Sequence, residues 1–356
     1  MDTIGLDLHK RESQLCILSE TGELEERRIA TTRERFTAVL GNRPPARILL
    51  EASTESEWVA RHLESHGHTV IVADPNFAPM YATRRRGVKT DRGDARTLME
   101  ALRLGAYRAI HRASAAQRHV RAQLAVRDAL IRTRTRYVNV VRALTRREGL
   151  RLAAGGPEQL ERKLALLPLA PELVAELAPL RVVLEPVNVQ IDRADAQLAA
   201  TADADPLFAR LRTAPTIGPV TAVAFVATLD DVRRFRTAHQ VEGYLGLTPR
   251  EYSSGERQQR GRISKTGNPR MRALLVEAGW RILRSTDPAA APLRAWAERI
   301  AARRGTNVAA VALARRLAGI LYALWRDGTT YRAPVVKDVA AAYGRTGCVE
   351  CDRPER

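Results

Sequence analysis

The first hundred residues alternate between short apolar runs and short amphipathic ones. "TIGLDLH" and "SQLCILS" have strand length and strand character, "EERRIAT" follows as a third, and the glycine opening "GELEE" suits a hairpin turn between the last two. "FTAVLGN" reads as helix and "ARILLEA" as a buried strand. "SEWVARHLESHG" is an amphipathic helix closed by Gly67, and "HTVIVADP" is a further strand. Three strands, a helix, a strand, a helix and a strand describe a mixed α/β domain, here assigned to residues 1–115.

From "GDARTLMEALRLG" onward the period changes to that of helices. Val120, Leu124, Ile131, Val138 and Val141 form one apolar stripe, interrupted by Arg127 and Arg134, so a coiled-coil seam is not secure. After the breaker "AAGGPEQ", Leu180, Leu184, Val187, Ile191 and Leu198 form a second stripe, with Pro186 expected to start or kink its helix. The two stripes predict an antiparallel, coiled-coil-like helical hairpin over 116–204. The linker "ATADADP" separates it from an all-α domain over 205–332, and a weakly ordered tail is expected over 333–356.

Charge narrows the function classes. The chain has 356 residues, with 58 Lys and Arg against 40 Asp and Glu, a net charge of +18. That excess calls for a polyanionic partner. A membrane is disfavoured, because the best apolar run, "VALARRLAGILYALW", is broken by Arg315 and Arg316. No signal peptide is expected in "MDTIGLDLHKRE", and three cysteines exclude a disulfide scaffold, so a cytoplasmic, nucleoid-associated location is expected. Cys348 and Cys351 form a CxxC without two further zinc ligands, and His62, His66 and His68 read as exposed helix-end residues.

Within this basic chain four acids stand out. Asp7 ends the first strand, Glu51 ends the fourth, and "KTDRGDAR" places Asp91 and Asp94 on one face at the opening of a helix. The strand order fits an RNase H-like fold, in which the first and fourth strands are parallel neighbours. Asp7 and Glu51 then meet at one edge, with Asp91 and Asp94 able to close over them. Four carboxylates at one point need cations among them, and hard oxygen donors suit Mg²⁺ or Mn²⁺. Singly, each acid is an ordinary turn or cap residue. An actin-like ATPase has a related sheet but wants a glycine after its first Asp, where Leu8 and His9 stand here.

A second constellation lies further on. In "RTAPTIGPVTAVAFVATL" the Ile217–Gly218 turn opens a helix in the manner of a helix-hairpin-helix, whose amides can hold a DNA phosphate. Between Arg250 and Arg272 seven Lys or Arg face two Glu, in what reads as a basic connector between packed helices. Arg250, Arg257, Arg260, Arg262, Lys265 and Arg270 are candidate phosphate contacts there, as are Arg84, Arg85, Arg86 and Lys89 in "RRRGVK" and the Arg-rich helix at 118–151. Ser253 and Ser254 precede a glycine, ordinarily a turn signal, and no spacing identifies a general base beside them.

"IGLDLHK", "LLEAST", "KTDRGDAR", "PTIGPVTA" and "LGLTPREYSSGERQQRGRISKTGNPRMRALL" occur in the order found in DEDD-type insertion-sequence transposases, bridge-RNA-guided recombinases with a RuvC-like domain. The chain resembles that family over roughly residues 3–330. The resemblance implies a RuvC-like domain, a coiled-coil insertion and a C-terminal transposase domain. It places the acidic tetrad on Asp7, Glu51, Asp91 and Asp94, with Mg²⁺ bound, and the nucleophilic serine on Ser254. It further implies donor and target DNA, a structured non-coding guide RNA, a homo-oligomer of two to four chains, and a covalent 5′-phosphoserine intermediate. Two other readings stay open: a RuvC-like junction nuclease in which Ser254 is structural, and an inactive nucleic-acid-binding protein.

Overall fold

The computed structural model describes residues 1–83, 90–251 and 260–333. It separates into two compact units, Met1–Ala113 and Ser114–Arg356. The CxxC pair and nearly all of the expected tail lie outside the described residues.

The N-terminal unit is a five-stranded mixed sheet. Strands β1 (Thr3–Leu8), β2 (Glu12–Leu18) and β3 (Leu24–Ala30) form an antiparallel meander. Helix α1 (Arg33–Leu40), strand β4 (Arg47–Glu51), helix α2 (Ser56–Glu64) and strand β5 (Thr69–Ala73) follow. The sheet order is β3-β2-β1-β4-β5, with β4 parallel to both β1 and β5, so the first and fourth strands are parallel neighbours as expected.

Strand alternation sorts the side chains. Ile4, Leu6, Ile48 and Leu50 face Phe36, Leu40, Val59 and Leu63 of α1 and α2. The opposite face carries Leu49 and, on helix α3 (Asp91–Leu104), Leu98, Ala101 and Leu102. Thr90 caps α3 by accepting the amide of Gly93, and Gly105 closes it in a left-handed conformation. His68 corrects an expectation. It is buried rather than exposed, accepting the Ala46 amide at Nδ1 (3.1 Å) and donating from Nε2 to the Leu40 carbonyl (3.0 Å). Its reach across to the end of α1 is a tertiary contact that the local pattern does not carry.

In the second unit, α4 (Ala115–Arg147) runs antiparallel to α6 (Pro171–Asp203), with the short α5 (Leu160–Leu164) between them. Val138, Val141, Leu173, Leu177 and Leu184 seal the far end of this hairpin, while Leu124, Leu198 and Ala202 join the C-terminal core. Arg127 and Arg134 interrupt the apolar stripe because they are matched across the seam by Asp195 and Asn188. Pro186 does not start α6. The helix begins at Pro171, where a missing N–H costs nothing, and runs through both Pro179 and Pro186.

The C-terminal core packs α7 (Pro206–Leu211), α8 (Pro219–Leu229), α9 (Ala238–Tyr244), α10 (Pro269–Arg284), α11 (Ala291–Arg304) and α12 (Thr306–Asp327). Gly279 lets α10 cross close to α12, since a Cβ there would lie 2.5 Å from the Ala310 carbonyl oxygen. Contrary to the sequence reading, α12 is long and apolar enough to cross a membrane by length and composition, two arginines being tolerable in such a helix. Here Leu313, Leu317, Leu321 and Tyr322 are buried in the core and Arg315 pairs with Glu242. The basic connector is also partly a β-hairpin, with β6 (Pro249–Glu251) pairing antiparallel to β7 (Arg260–Ile263).

Candidate active site: an acidic cluster on the N-terminal sheet

Asp7 sits one residue beyond the last paired position of β1 and β4, Leu6 opposite Leu50, and Glu51 holds the matching place on β4. By alternation Gly5 and Asp7 share the face that α3 covers, as do Leu49 and Glu51. What seats α3 there is Gly5. A Cβ at that position would fall 2.0 Å from the Ala95 carbonyl oxygen and 2.3 Å from the Met99 amide, so the helix backbone lies directly on the strand. Arg92 and Arg96 pair with Glu26 of β3 and clamp the same helix to the sheet. Asp91 and Asp94, in its first turn, are thereby carried over the strand ends.

The electrostatics of the cluster are unfavourable as they stand. Burial pushes the Asp7 carboxyl up to about 6; the His9 imidazole opposes the shift, and the charges of Asp94, Asp91 and Glu51 add to it. His9 Nε2 lies 3.2 Å from Asp7 Oδ2 and 3.5 Å from Asp91 Oδ1. Yet Asp7 Oδ2 is buried and has no hydrogen-bond donor among the described residues. Ligand atoms of Asp7, His9 and Asp91 lie within 4.8 Å of one another. Glu51 is oriented by the Tyr81 hydroxyl, which donates to Oε1 at 2.7 Å. A buried carboxylate oxygen without a donor, among three more acids, fits a divalent cation better than it fits a structural role.

The sequence pattern had singled out the four acids but not their supports. Those supports are His9, Tyr81 and Gly5, and of these only Gly5, a glycine inside an apolar strand, carries a sequence signal for the part it plays, that of close backbone approach.

The basic candidates fare differently from one another. Arg250, Arg262 and Lys265 are exposed at the base of the β6–β7 hairpin, Arg250 donating to the Ser264 carbonyl at 3.2 Å. Arg270 is turned away from them and held by Asp128 at 2.6 Å. Arg272 braces the hairpin's base by donating to the carbonyls of Leu245 and Thr266. Gly218 caps α8 with ordinary φ and open space around its α-carbon, beside a cavity of about 230 Å³ lined in part by Arg127, Thr216 and Arg281. Ser253, Ser254, Arg257, Arg84, Arg85, Arg86 and Lys89 lie outside the described residues, as does the side chain of Arg260.

Two family descriptions match the chain, a DEDD transposase of IS110 type over residues 4–147 and "Transposase IS116/IS110/IS902 family" over residues 208–293. A probable family 20 transposase of Pseudomonas aeruginosa is 33% identical over 341 residues, spanning 93% of this chain and 99% of that protein. The chain belongs to the IS110 family of DEDD transposases. Other insertion-sequence transposases are similar to it. The transposase of insertion sequence element IS1111A from Coxiella burnetii is 29% identical over 92% of this chain and 91% of its own length. That of IS1328 from Yersinia enterocolitica is 28% identical over 92% and 98%. As an IS110-family transposase the chain is an enzyme that acts on DNA, and the DEDD acids of such enzymes imply a divalent cation, for which the cluster around Asp7 is the fitting place.

Proposed function

We propose that this transposase is an RNA-guided DNA recombinase in which Ser254 is the nucleophile and Asp7, Glu51, Asp91 and Asp94 hold Mg²⁺ or Mn²⁺. The observation that carries this reading is the gathering of four acids, at the ends of β1 and β4 and the start of α3, around a buried carboxylate oxygen with no donor among the described residues. When bound, the cation supplies charge neutralisation at the phosphate oxygens of the DNA. The chain's own groups do the rest. Ser254 Oγ attacks phosphorus, a P–O bond to serine forms, and the bond to the 3′ oxygen breaks, the leaving oxygen taking up a proton. Attack by another 3′ hydroxyl reverses the step and releases the serine. Exposed Arg250, Arg262 and Lys265 stand at the base of the β6–β7 pair and clamp the phosphate through charge-assisted hydrogen bonds.

A guide RNA agrees with the composition. Where base pairing chooses the site, the protein needs backbone contacts, which favours a charge of +18 and few aromatics, 5% of residues. The working form is a homo-oligomer on donor and target DNA. A second reading, metal-dependent junction hydrolysis without a covalent link, draws on the fact that the acidic cluster is assembled wholly within the N-terminal unit. One gel separates them. Wild type and Ser254→Ala are incubated with the RNA flanking the gene, DNA bearing donor and target sites, and Mg²⁺, then denatured. A Mg²⁺-dependent protein–DNA band absent from the variant supports the serine. Cleaved DNA without a band, unchanged in the variant, leaves the nuclease.

A further inference from the structure

Ten arginines fall between residues 118 and 151, and the helical hairpin disposes of them unequally. Arg121 donates to the carbonyls of Ala227 and Thr228. Arg127 is held by Asp195, Arg132 by Asp128, Arg134 by Asn188, and Arg147 by Glu148 and Glu176. Arg136, Arg142, Arg146 and Arg151 have guanidinium groups with no hydrogen bond or ion pair among the described residues. The last three share a place. They line one cavity of about 420 Å³ at the far end of the hairpin, closed by the main chain of residues 150–155, and no carboxylate lines it.

The main chain adds donors of the same kind. The amides of residues 151–156 donate to no acceptor among the described residues. The helix dipole accounts for part of this charge only. A cation in the last turn of α4 gains roughly 0.3–1 kcal/mol from the carbonyl end, and Arg146 and Arg147 both stand there. It does not account for Arg142 and Arg146, like charges four residues apart that repel by a few tenths of a kcal/mol. Nor does it bring Arg151, beyond the helix end, back onto the same cavity.

We infer that this cavity seats a phosphate of a nucleic-acid backbone, making the end of the hairpin a docking point. The inference rests on the reading of the chain as a nucleic-acid enzyme and adds a place and a ligand group to it. Guanidinium forks match phosphate oxygens in pairs, and free amides complete the cradle. RNA and DNA present the same phosphodiester, so the probes must tell them apart.

The full-length protein is titrated by fluorescence anisotropy against a random single-stranded RNA and a random duplex DNA, each of about 30 nucleotides per strand, over roughly 50–200 mM salt. Arg142→Gln/Arg146→Gln/Arg151→Gln should flatten the slope of log affinity against log salt by roughly 0.7–0.9 on the probe that binds there, the amount that one lost phosphate contact removes. Flattening on RNA alone makes the RNA the occupant, and flattening on duplex alone makes it DNA. The control Arg299→Gln/Arg303→Gln/Arg304→Gln removes equal charge from exposed positions of α11 and should leave the slope unchanged. Equal slopes for both triple variants overturn the inference while the wild type's binding leaves the broader reading intact. A wild type that binds neither probe overturns both. If the glutamine variant does not fold, Arg142→Lys/Arg146→Lys/Arg151→Lys should keep the slope and weaken binding several-fold, and a lysine variant matching wild type in affinity overturns the inference.

Discussion

Replacing Asp7 by asparagine tests what it costs to bury a charged carboxyl in the acidic cluster. The folded carboxyl titrates near 6 against an ordinary 3.8, chiefly through burial. Between those values the folded chain keeps a proton that the unfolded chain has lost, so stability falls as pH rises through the window and stays lower above it. The rise from 3.8 to about 6 sets a ceiling of about 3 kcal/mol. Solvent reaches part of the group, which reduces the working figure to about 1–2 kcal/mol. Asp7→Asn has no charge to bury, and its amide can donate toward the acceptors that Asp91 presents nearby. In EDTA at neutral pH the variant should therefore be more stable than wild type by that amount in urea unfolding, and near pH 4 the two should converge. Added Mg²⁺ should stabilise wild type and do little for the variant. A variant no more stable than wild type in EDTA at neutral pH refutes the account of the cluster as a repulsive site awaiting a cation.

Gly5→Ala should drive α3 off β1, costing about 2–3 kcal/mol by overpacking and weakening the Mg²⁺-dependent rise in melting temperature; an unchanged rise would show that α3 is not seated by that glycine. Tyr81→Phe removes the donor that orients Glu51 and should weaken Mg²⁺ roughly tenfold by calorimetry, as loss of an outer support does. Asp195→Leu leaves Arg127 unmatched in the hairpin seam and should cost about 1–2 kcal/mol, whereas Arg127→Leu/Asp195→Leu should recover most of it; paired thermal melts measure both.

The sheet and its acids were legible because strands write themselves with a period of two and because ligand carboxylates gather at strand ends. Asp7 and Glu51 needed only the parallel pairing of β1 with β4 to meet. What lay hidden depended on contacts between segments far apart in the chain. His68 looks like any residue after a helix until Leu40 and Ala46 enclose it. Arg127 and Arg134 look like flaws in a stripe until Asp195 and Asn188 face them. Pro186 reads as a boundary because its cost inside a helix depends on surroundings that no local pattern records. The β6–β7 pairing was masked by Pro249 and by a run of charges where alternation would announce a strand. His9 and Tyr81 act through partners on β1, α3 and β4.

The paired 33-residue helices α4 and α6 also set a length. At 1.5 Å per residue each extends about 50 Å, so the arginine cavity at one end and the packed core at the other are separated by nearly one and a half turns of B-form duplex, whose turn is roughly 34–36 Å. Only a polynucleotide longer than about that distance can touch both ends at once. The hairpin is thus a ruler, and fragments below that length should bind either end without linking them.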